Sequence, residues 1–289
     1  MKKKKRMVEI LFRAMMATVL FTVFRRIMLF TGWVNVMVAR GWSLLAIQAA
    51  AASLEFLFAG VVVILIMPRI LRLGSPPNWL PEFLSADVKG VMLGVLSFVV
   101  FGLLGVIIAK IFGIYVGDPS VIFAWPDIRP DPDVVGFGYF LLSLVPGVWE
   151  ELAFRGLVLS RFQKAIKPWP AVLLSAFFFA LFHLSNLITQ PPSAAIGGVI
   201  MSFFFGIVWG LMTVRTGSVI PAMLSHYLVD SMGMVFLNVD MADPAKGTLF
   251  FLLLVISFVI VNIMLTTAFY PSSPKKQTAK GQQMEKKGV

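Results

Sequence analysis

Long apolar runs separated by short polar segments make up most of this chain. Each run is close to the ~20 residues that a helix needs to cross a bilayer. The pattern therefore predicts an all-α, polytopic integral membrane protein with about eight transmembrane helices. The predicted spans are 8–38, 43–67, 89–112, 135–160, 169–188, 194–214, 218–237 and 247–270. Because arginines interrupt the first run, we expect part of it to lie in the membrane interface as an amphipathic helix.

Positive charge lies mainly between the runs and predicts an orientation. Lysine and arginine are enriched in the cytoplasmic loops of membrane proteins. Placing residues 2–6 inside makes the later basic segments alternate with acidic or uncharged loops, and both termini are then predicted to be cytoplasmic. The basic markers are Arg69, Arg72, Arg161, Lys164, Lys167, Arg215 and the tail after Pro271. Arg25, Arg26 and Arg40 fit this alternation least well. We expect a prokaryotic plasma membrane.

Composition excludes several other classes of protein. Of 289 residues, 58% are hydrophobic and 13% are charged, about half the charged fraction of soluble proteins. The net charge of +11 is concentrated at the two ends and beside apolar runs. This distribution indicates contact with membrane lipids rather than nucleic acid. The absence of cysteine excludes disulfides, thiolate metal sites and cysteine nucleophiles.

Six ionisable residues interrupt the predicted fourth, fifth and seventh spans. A charged group in hydrocarbon costs several kcal/mol or becomes neutral. Three helices that each carry this cost are expected to share a purpose, so we predict an intramembrane catalytic cavity between them. The residues are Glu150, Glu151 and Arg155 in "VWEELAFRG", His183, His226 and Asp230.

Helical spacing separates the two adjacent glutamates. Glu151 and Arg155 are four residues apart, so they share a face and are predicted to pair. Glu150 is rotated by about 100° from Glu151, so it does not share a face with Arg155. It would therefore be free to take part in chemistry. His226 and Asp230 are also four apart. Asp230 could orient the imidazole or accept a hydrogen bond from a substrate or a water molecule.

This set of side chains suits the activation of water. A carboxylate in an apolar pocket can take a proton from water, and an imidazole can share that water, bind a metal or stabilise an oxyanion. Simpler interpretations stay open on the residue pattern alone. The Glu-Glu-Arg set could be a buried ion pair, and each histidine could be a core residue. Glu55, in the second span, could approach the site, but nothing in the sequence fixes its direction.

Three short segments resemble the motifs of one family. "EELAFRG" resembles the Glu-Glu-x-x-x-Arg motif of the type II CAAX prenyl endopeptidases and their bacterial relatives, the CAAX protease and bacteriocin-processing (CPBP) intramembrane proteases. "FALFH", ending at His183, resembles their Phe-x-x-x-His motif. "HYLVD", from His226 to Asp230, resembles His-x-x-x-Asn, with aspartate where the family usually has asparagine. The resemblance covers about residues 134–238.

The resemblance implies a role for each motif residue. Glu150 would be the base that activates water, and His183 would help hold that water. Glu151 and Arg155 would support the site. His226 would stabilise the oxyanion, alone or with Asp230. An aspartate helps an oxyanion only when it is protonated.

We therefore predict an intramembrane endopeptidase that hydrolyses a peptide bond with glutamate-activated water. Its substrate would be a peptide or a lipidated peptide, and a zinc ion held by Glu150, His183 and His226 is one option. The predicted organisation is N-terminal helices in 1–133, a catalytic core in 134–238, a last span in 239–270 and a disordered basic tail in 271–289.

Two alternatives belong to other functional classes. One is a non-proteolytic immunity or scaffold protein of the same fold. The other is a proton-coupled transporter, which should show two repeated halves with broken helices. The sequence shows no convincing internal repeat, so the transporter ranks last.

Overall fold

The structure, a computed structural model, describes residues 2–30, 33–73, 84–113, 137–233 and 244–271. Helices joined by turns make up this part of the chain, and it contains no strand. The prediction of an all-α fold is therefore confirmed for the described residues. The predicted tail, 271–289, lies outside them except for Pro271.

Eleven α-helices are described, together with four π-helical segments and one 3₁₀ turn. The α-helices are α1 (Lys2–Phe30), α2 (Trp33–Ala39), α3 (Leu44–Gly60), α4 (Met67–Leu71), α5 (Val88–Ile111), α6 (Phe137–Val145), α7 (Ser160–Gln163), α8 (Pro168–His183), α9 (Pro192–Thr216), α10 (Ile220–Leu228) and α11 (Pro244–Phe269). The π-helical segments are Val61–Ile66, Pro146–Glu150, Leu152–Leu159 and Val229–Gly233, and the 3₁₀ turn is Leu184–Ile188.

Six helical stretches of the described residues are long and apolar enough to cross a membrane. They agree with the first, second, third, fifth, sixth and eighth predicted spans, and they support an integral membrane protein. The stretches are Lys5–Arg26, Leu45–Leu71, Val88–Ile111, Pro168–Ile188, Pro192–Thr216 and Lys246–Phe269. The fourth and seventh predicted spans, 135–160 and 218–237, are not among these six stretches; they carry the Glu-Glu-Arg and His-Asp sets. Residues 234–237 of the seventh lie outside the described residues. The count of eight stays a prediction.

Three of the four described π-helical segments carry polar residues of the predicted site. Glu150, Arg155 and Asp230 each lie in one of them. A π-helical turn is wider than an α-helical turn, and such turns occur frequently at functional sites. Pro146 begins the first of the three, where its missing N–H removes one bond from the α-helical ladder.

Close helix contacts bring these polar segments together. A Cβ atom added to Gly94 of α5 would lie 2.6 Å from the carbonyl oxygen of Pro221 in α10. One added to Gly147 would lie 2.8 Å from the Cβ of Tyr227 in α10. Small residues allow helix backbones to approach each other at this distance. Helix α10, which carries His226, is therefore held against both α5 and the segment that carries Glu150.

A polar clamp joins α5, α9 and α11 at one end of the bundle. Asp87 caps α5 by accepting from the Gly90 N–H at 2.8 Å, and the Tyr270 hydroxyl also donates to Asp87. Arg215 donates to the Tyr270 carbonyl at 3.4 Å. Both hydrogen bonds lower the pKa of Asp87, and the one from Tyr270 has the larger effect.

Candidate functional site

Glu151 is the centre of a buried ionic network. Its Oε1 lies 2.9 Å from Arg155 Nη1, so the predicted pair is present, and 2.8 Å from His226 Nδ1. Glu151 and Arg155 have no exposed surface, and His226 is 3% exposed. The guanidinium carbon of Arg155 also lies 4.1 Å from the ring centroid of Phe179, a cation–π contact. This side-chain set is enclosed by the protein.

His226 continues the network toward Asp230. Its ring stacks on Trp209 with centroids 4.0 Å apart, and its Nε2 lies 3.4 Å from Asp230 Oδ2. A neutral imidazole has one N–H and donates to one carboxylate at a time. Hydrogen bonds to both Glu151 and Asp230 thus require a doubly protonated ring or a proton on one of the two carboxyl groups. The Asp230 side chain is 35% exposed, so the network ends at an accessible group.

A cavity of about 240 Å³ adjoins the exposed end of this network. It brings together three of the predicted site residues, Glu150, His183 and Asp230. His226 is not among the residues that line it and is separated from it by Asp230. Four further polar residues line the cavity: Arg25, Arg26, Glu55 and Asn186.

Glu150 lacks Arg155 as a partner, as predicted, but a cation from a distant helix pairs with it. Arg25 of α1 donates from Nη1 to Glu150 Oε1, and its Nη2 lies 3.4 Å from Glu55 Oε2. Helical spacing reveals partners within one or two turns, whereas Arg25 and Glu150 are 125 positions apart. The second oxygen, Oε2, is buried without a hydrogen-bond partner among the described residues.

Sequence reasoning therefore missed Arg25 and Arg26 and left the direction of Glu55 open. A signal for them did exist. Arg25 and Arg26 fitted the alternation of charge poorly, and Glu55 is a carboxylate in an apolar span. Each would carry the cost of an unpaired charge in hydrocarbon, and that cost is reduced when they face one another and Glu150.

His183 is held so that one ring nitrogen is available. Its Nδ1 is 2.9 Å from the carbonyl oxygen of Phe179. A carbonyl only accepts, so Nδ1 carries the proton, and Nε2 of the neutral ring keeps its lone pair. Beside it, Arg26 donates to Ser185 Oγ at 2.8 Å and also to Asn186 Oδ1.

The predicted ligand set does not fit a metal centre. No group of three His, Asp or Glu side chains that could hold a metal ion occurs among the described residues. Of the expected ligands Glu150, His183 and His226, the last directs both nitrogens at carboxylates of the protein. A tetrahedral zinc site needs three protein ligands with free donor atoms, and both nitrogens of His226 are already taken by carboxylates.

A second, larger depression has different chemistry. It measures about 620 Å³ and is lined by residues 163–167 and Pro170. Its charged groups are Lys164 and Lys167, with no acid or histidine among the described residues that line it. Two carboxylates and one histidine of the predicted set line the smaller cavity instead.

One comparison with known proteins supports the resemblance. Residues 133–232 match the family model described as type II CAAX prenyl endopeptidase Rce1-like. The match agrees with the predicted 134–238 and includes Glu150, Glu151, Arg155, His183, His226 and Asp230. It covers about a third of the chain and does not include Arg25 or Glu55. No curated protein matches the chain. The similarity supports a CAAX-protease-type peptidase at the level of the family.

Proposed function

We propose that this protein is an intramembrane endopeptidase in which Glu150 activates water to hydrolyse a peptide bond. One observation carries the proposal. Glu150 and His183 line the same cavity. One carboxylate oxygen of Glu150 accepts from Arg25. His183 uses Nδ1 on the Phe179 carbonyl, so its Nε2 is free. These are a proton acceptor and a second water-holding group. The family match supports the same class of reaction.

The proposed reaction forms no covalent enzyme intermediate. Water is held by Glu150 and by His183 Nε2, and Glu150 takes a proton as the water oxygen attacks the carbonyl carbon. The tetrahedral intermediate carries its negative charge on the former carbonyl oxygen. Glu150 then gives the proton to the departing nitrogen as the C–N bond breaks, which yields a free carboxyl group and a free amine.

Asp230 is the proposed donor to the oxyanion because it is the accessible end of the buried network. It can donate only when protonated, and its contact with His226 Nε2 allows a proton to be shared between them. Glu151 and Arg155 fix His226 from the other side. In this proposal His226 acts through Asp230, and Glu151 and Arg155 are positioning residues.

Arg25 is proposed to position the base. It bridges Glu150 and Glu55, so it fixes one Glu150 oxygen and leaves Oε2 without a hydrogen-bond partner among the described residues. The functional core would then extend from 134–238 to the parts of α1 and α3 that carry Arg25 and Glu55. We propose a peptide or lipidated-peptide substrate and keep the predicted orientation, with both termini in the cytoplasm of a prokaryotic cell.

The test uses the purified full chain in detergent with fluorogenic peptides, both prenylated and plain. Wild type and Glu150→Gln are compared, each with and without a chelator. We expect wild type to cleave, Glu150→Gln to fold but not cleave, and the chelator to leave cleavage unchanged. Cleavage by Glu150→Gln would overturn the mechanism. No cleavage by folded wild type would favour a non-proteolytic protein of the same fold.

A further inference from the structure

A basic cluster lies at the end of the bundle where α1 begins and α4 ends. It consists of Arg6, Arg13, Arg72 and Arg161 around one carboxylate, Glu9. Glu9 Oε1 lies 3.0 Å from Arg13 Nε and 3.1 Å from Arg72 Nη1. Burial lowers the pKa of Arg161, and the nearby positive charges of Arg6, Arg13 and Arg72 lower it further. Two guanidinium groups thus contact the carboxylate directly, Arg161 lies near it, and Arg6 lies near Arg161.

The guanidinium groups differ in what already holds them. Arg13 donates to Glu9 and, at 2.9 Å, to the Ile70 carbonyl, so it joins α1 to α4. Arg161 is half-buried, and its Nε is fully buried without a hydrogen-bond partner among the described residues. A buried donor without an acceptor is costly. An anion at the cluster would supply the missing acceptor.

Arg72 joins the same cluster from a strained backbone conformation. It ends α4 with φ 54° and ψ 50°, the left-handed conformation that glycine usually adopts at this position. Among the described residues it is the one non-glycine residue with positive φ. An arginine in this conformation is strained relative to glycine, because its Cβ crowds the following carbonyl oxygen. Its side chain is 66% exposed and contacts Glu9, so the strained position presents a cation at the surface.

The cluster lies next to an apolar surface. On α1, Val8 and Phe12 are four residues apart, and they are 59% and 65% exposed. The candidate span Lys5–Arg26 begins in this region and the span Leu45–Leu71 ends there. The cluster is therefore at the level where a bilayer changes from acyl chains to headgroups. Arginine binds phosphate oxygens through paired N–H groups.

We propose that this basic cluster binds a phosphate group, supplied by the headgroup of an anionic phospholipid whose acyl chains lie against Val8 and Phe12. The phosphate accepts hydrogen bonds from Arg161, Arg72 and Arg6. Arg13 and Glu9 hold the helices that carry them. This site is independent of the cavity that contains Glu150.

The experiment measures phospholipid binding by the purified full chain in a neutral detergent. Dioleoylphosphatidylglycerol, dioleoylphosphatidylcholine and inorganic phosphate are titrated separately, and the thermal unfolding midpoint is followed by tryptophan fluorescence. The variants are Arg161→Gln and Arg72→Gly. The matched control is Arg40→Gln, which removes an exposed arginine outside the cluster. Arg72→Gly relieves the backbone strain, so its midpoint without lipid should not fall.

Phosphatidylglycerol should raise the midpoint of wild type, and phosphatidylcholine and inorganic phosphate should raise it less. Each cluster variant should bind phosphatidylglycerol roughly tenfold more weakly, the loss of one charge-assisted contact, while Arg40→Gln binds as wild type does. A different result would be that inorganic phosphate raises the midpoint as much as phosphatidylglycerol does and loses this effect in the cluster variants. That result would support a phosphate site but overturn its assignment to a phospholipid. Unchanged binding in both cluster variants, or an equal loss in Arg40→Gln, would overturn the proposal.

Discussion

Glu150 and Glu151 are neighbours in the chain, yet the fold places them in different surroundings. Glu151 is enclosed, with Arg155 and His226 on one oxygen. Glu150 lines a cavity and pairs with Arg25. The second oxygen of each is buried without a hydrogen-bond partner among the described residues, so this feature does not distinguish them. The difference between them is that Glu150 lines the cavity and Glu151 does not.

The two histidines repeat the same division. His226 is enclosed and directs both nitrogens at carboxylates, whereas His183 lines the cavity and uses one nitrogen on a carbonyl. Each pair thus has one member that supports the structure and one that faces the cavity. The comparison teaches that residue type and position in the chain do not separate the two members of a pair, whereas contact with the cavity does.

Substitution of Glu150 should have the largest effect on activity. Glu150→Gln keeps the shape of the side chain but cannot take a proton, so cleavage should fall by about 10²- to 10⁴-fold with little change in thermal unfolding. Glu55→Gln is the matched control, since Glu55 also lines the cavity and contacts Arg25. Peptide cleavage rates of the two variants measure the difference. Equal losses would remove the distinction between these carboxylates.

Substitution of Glu151 should instead act on stability. Glu151→Gln leaves Arg155 buried without its counter-charge, which costs about 3–5 kcal/mol of unfolding free energy. Thermal unfolding in detergent measures the loss. The double change Glu151→Leu with Arg155→Leu removes both charges and should recover much of it. A stable Glu151→Gln protein with no activity would place Glu151 in the chemistry.

Arg25 tests whether the cavity set works as a unit. Arg25→Gln removes the cation between Glu55 and Glu150, and we expect about a tenfold loss of cleavage because a misplaced base transfers protons poorly. Arg25→Lys, which restores one positive charge, should recover part of it. A rise in cleavage would show that Arg25 blocks Glu150 rather than positions it. The ratio of kcat to KM in the three proteins measures the effect.

The polar clamp at Asp87 should give the smallest effect, and it is remote from the cavity. Asp87→Ala removes the cap of α5 and should cost about 1 kcal/mol, measured by thermal unfolding. The pKa of Asp87 is lowered in the folded protein, so its stabilisation is present at neutral pH and is lost as pH falls below about 4. Wild type and Asp87→Ala should therefore converge in acid. Tyr270→Phe keeps the cap and should lose less.

Much of the fold could be predicted from the sequence because its main signal is local. A run of apolar residues is long enough to cross a bilayer or it is not, and six predicted spans agree with long apolar helices. The pairs Glu151–Arg155 and His226–Asp230 could be predicted for the same reason, because residues four apart share a helix face.

The contacts that spacing could not show are those between distant segments. The Glu151–His226 contact joins positions 75 apart, and the Arg25–Glu150 pair joins positions 125 apart. Local periodicity contains no information on which helices become neighbours. The π-helical segments also altered the directions of side chains, since an α-helical projection assumes about 100° per residue and a wider turn does not follow it.

The size of the cavity has a consequence for turnover. At about 240 Å³ it is smaller than the roughly 300–1,000 Å³ of most small-molecule pockets, and an extended peptide occupies more space than such a molecule. Arg25 and Arg26 of α1 and Glu55 of α3 form part of its wall, so in the proposed reaction an extended peptide would need these helices to move away from the core. Motions of this kind take microseconds to milliseconds and often limit kcat. Substrates with very different scissile bonds would then be cleaved at similar maximal rates.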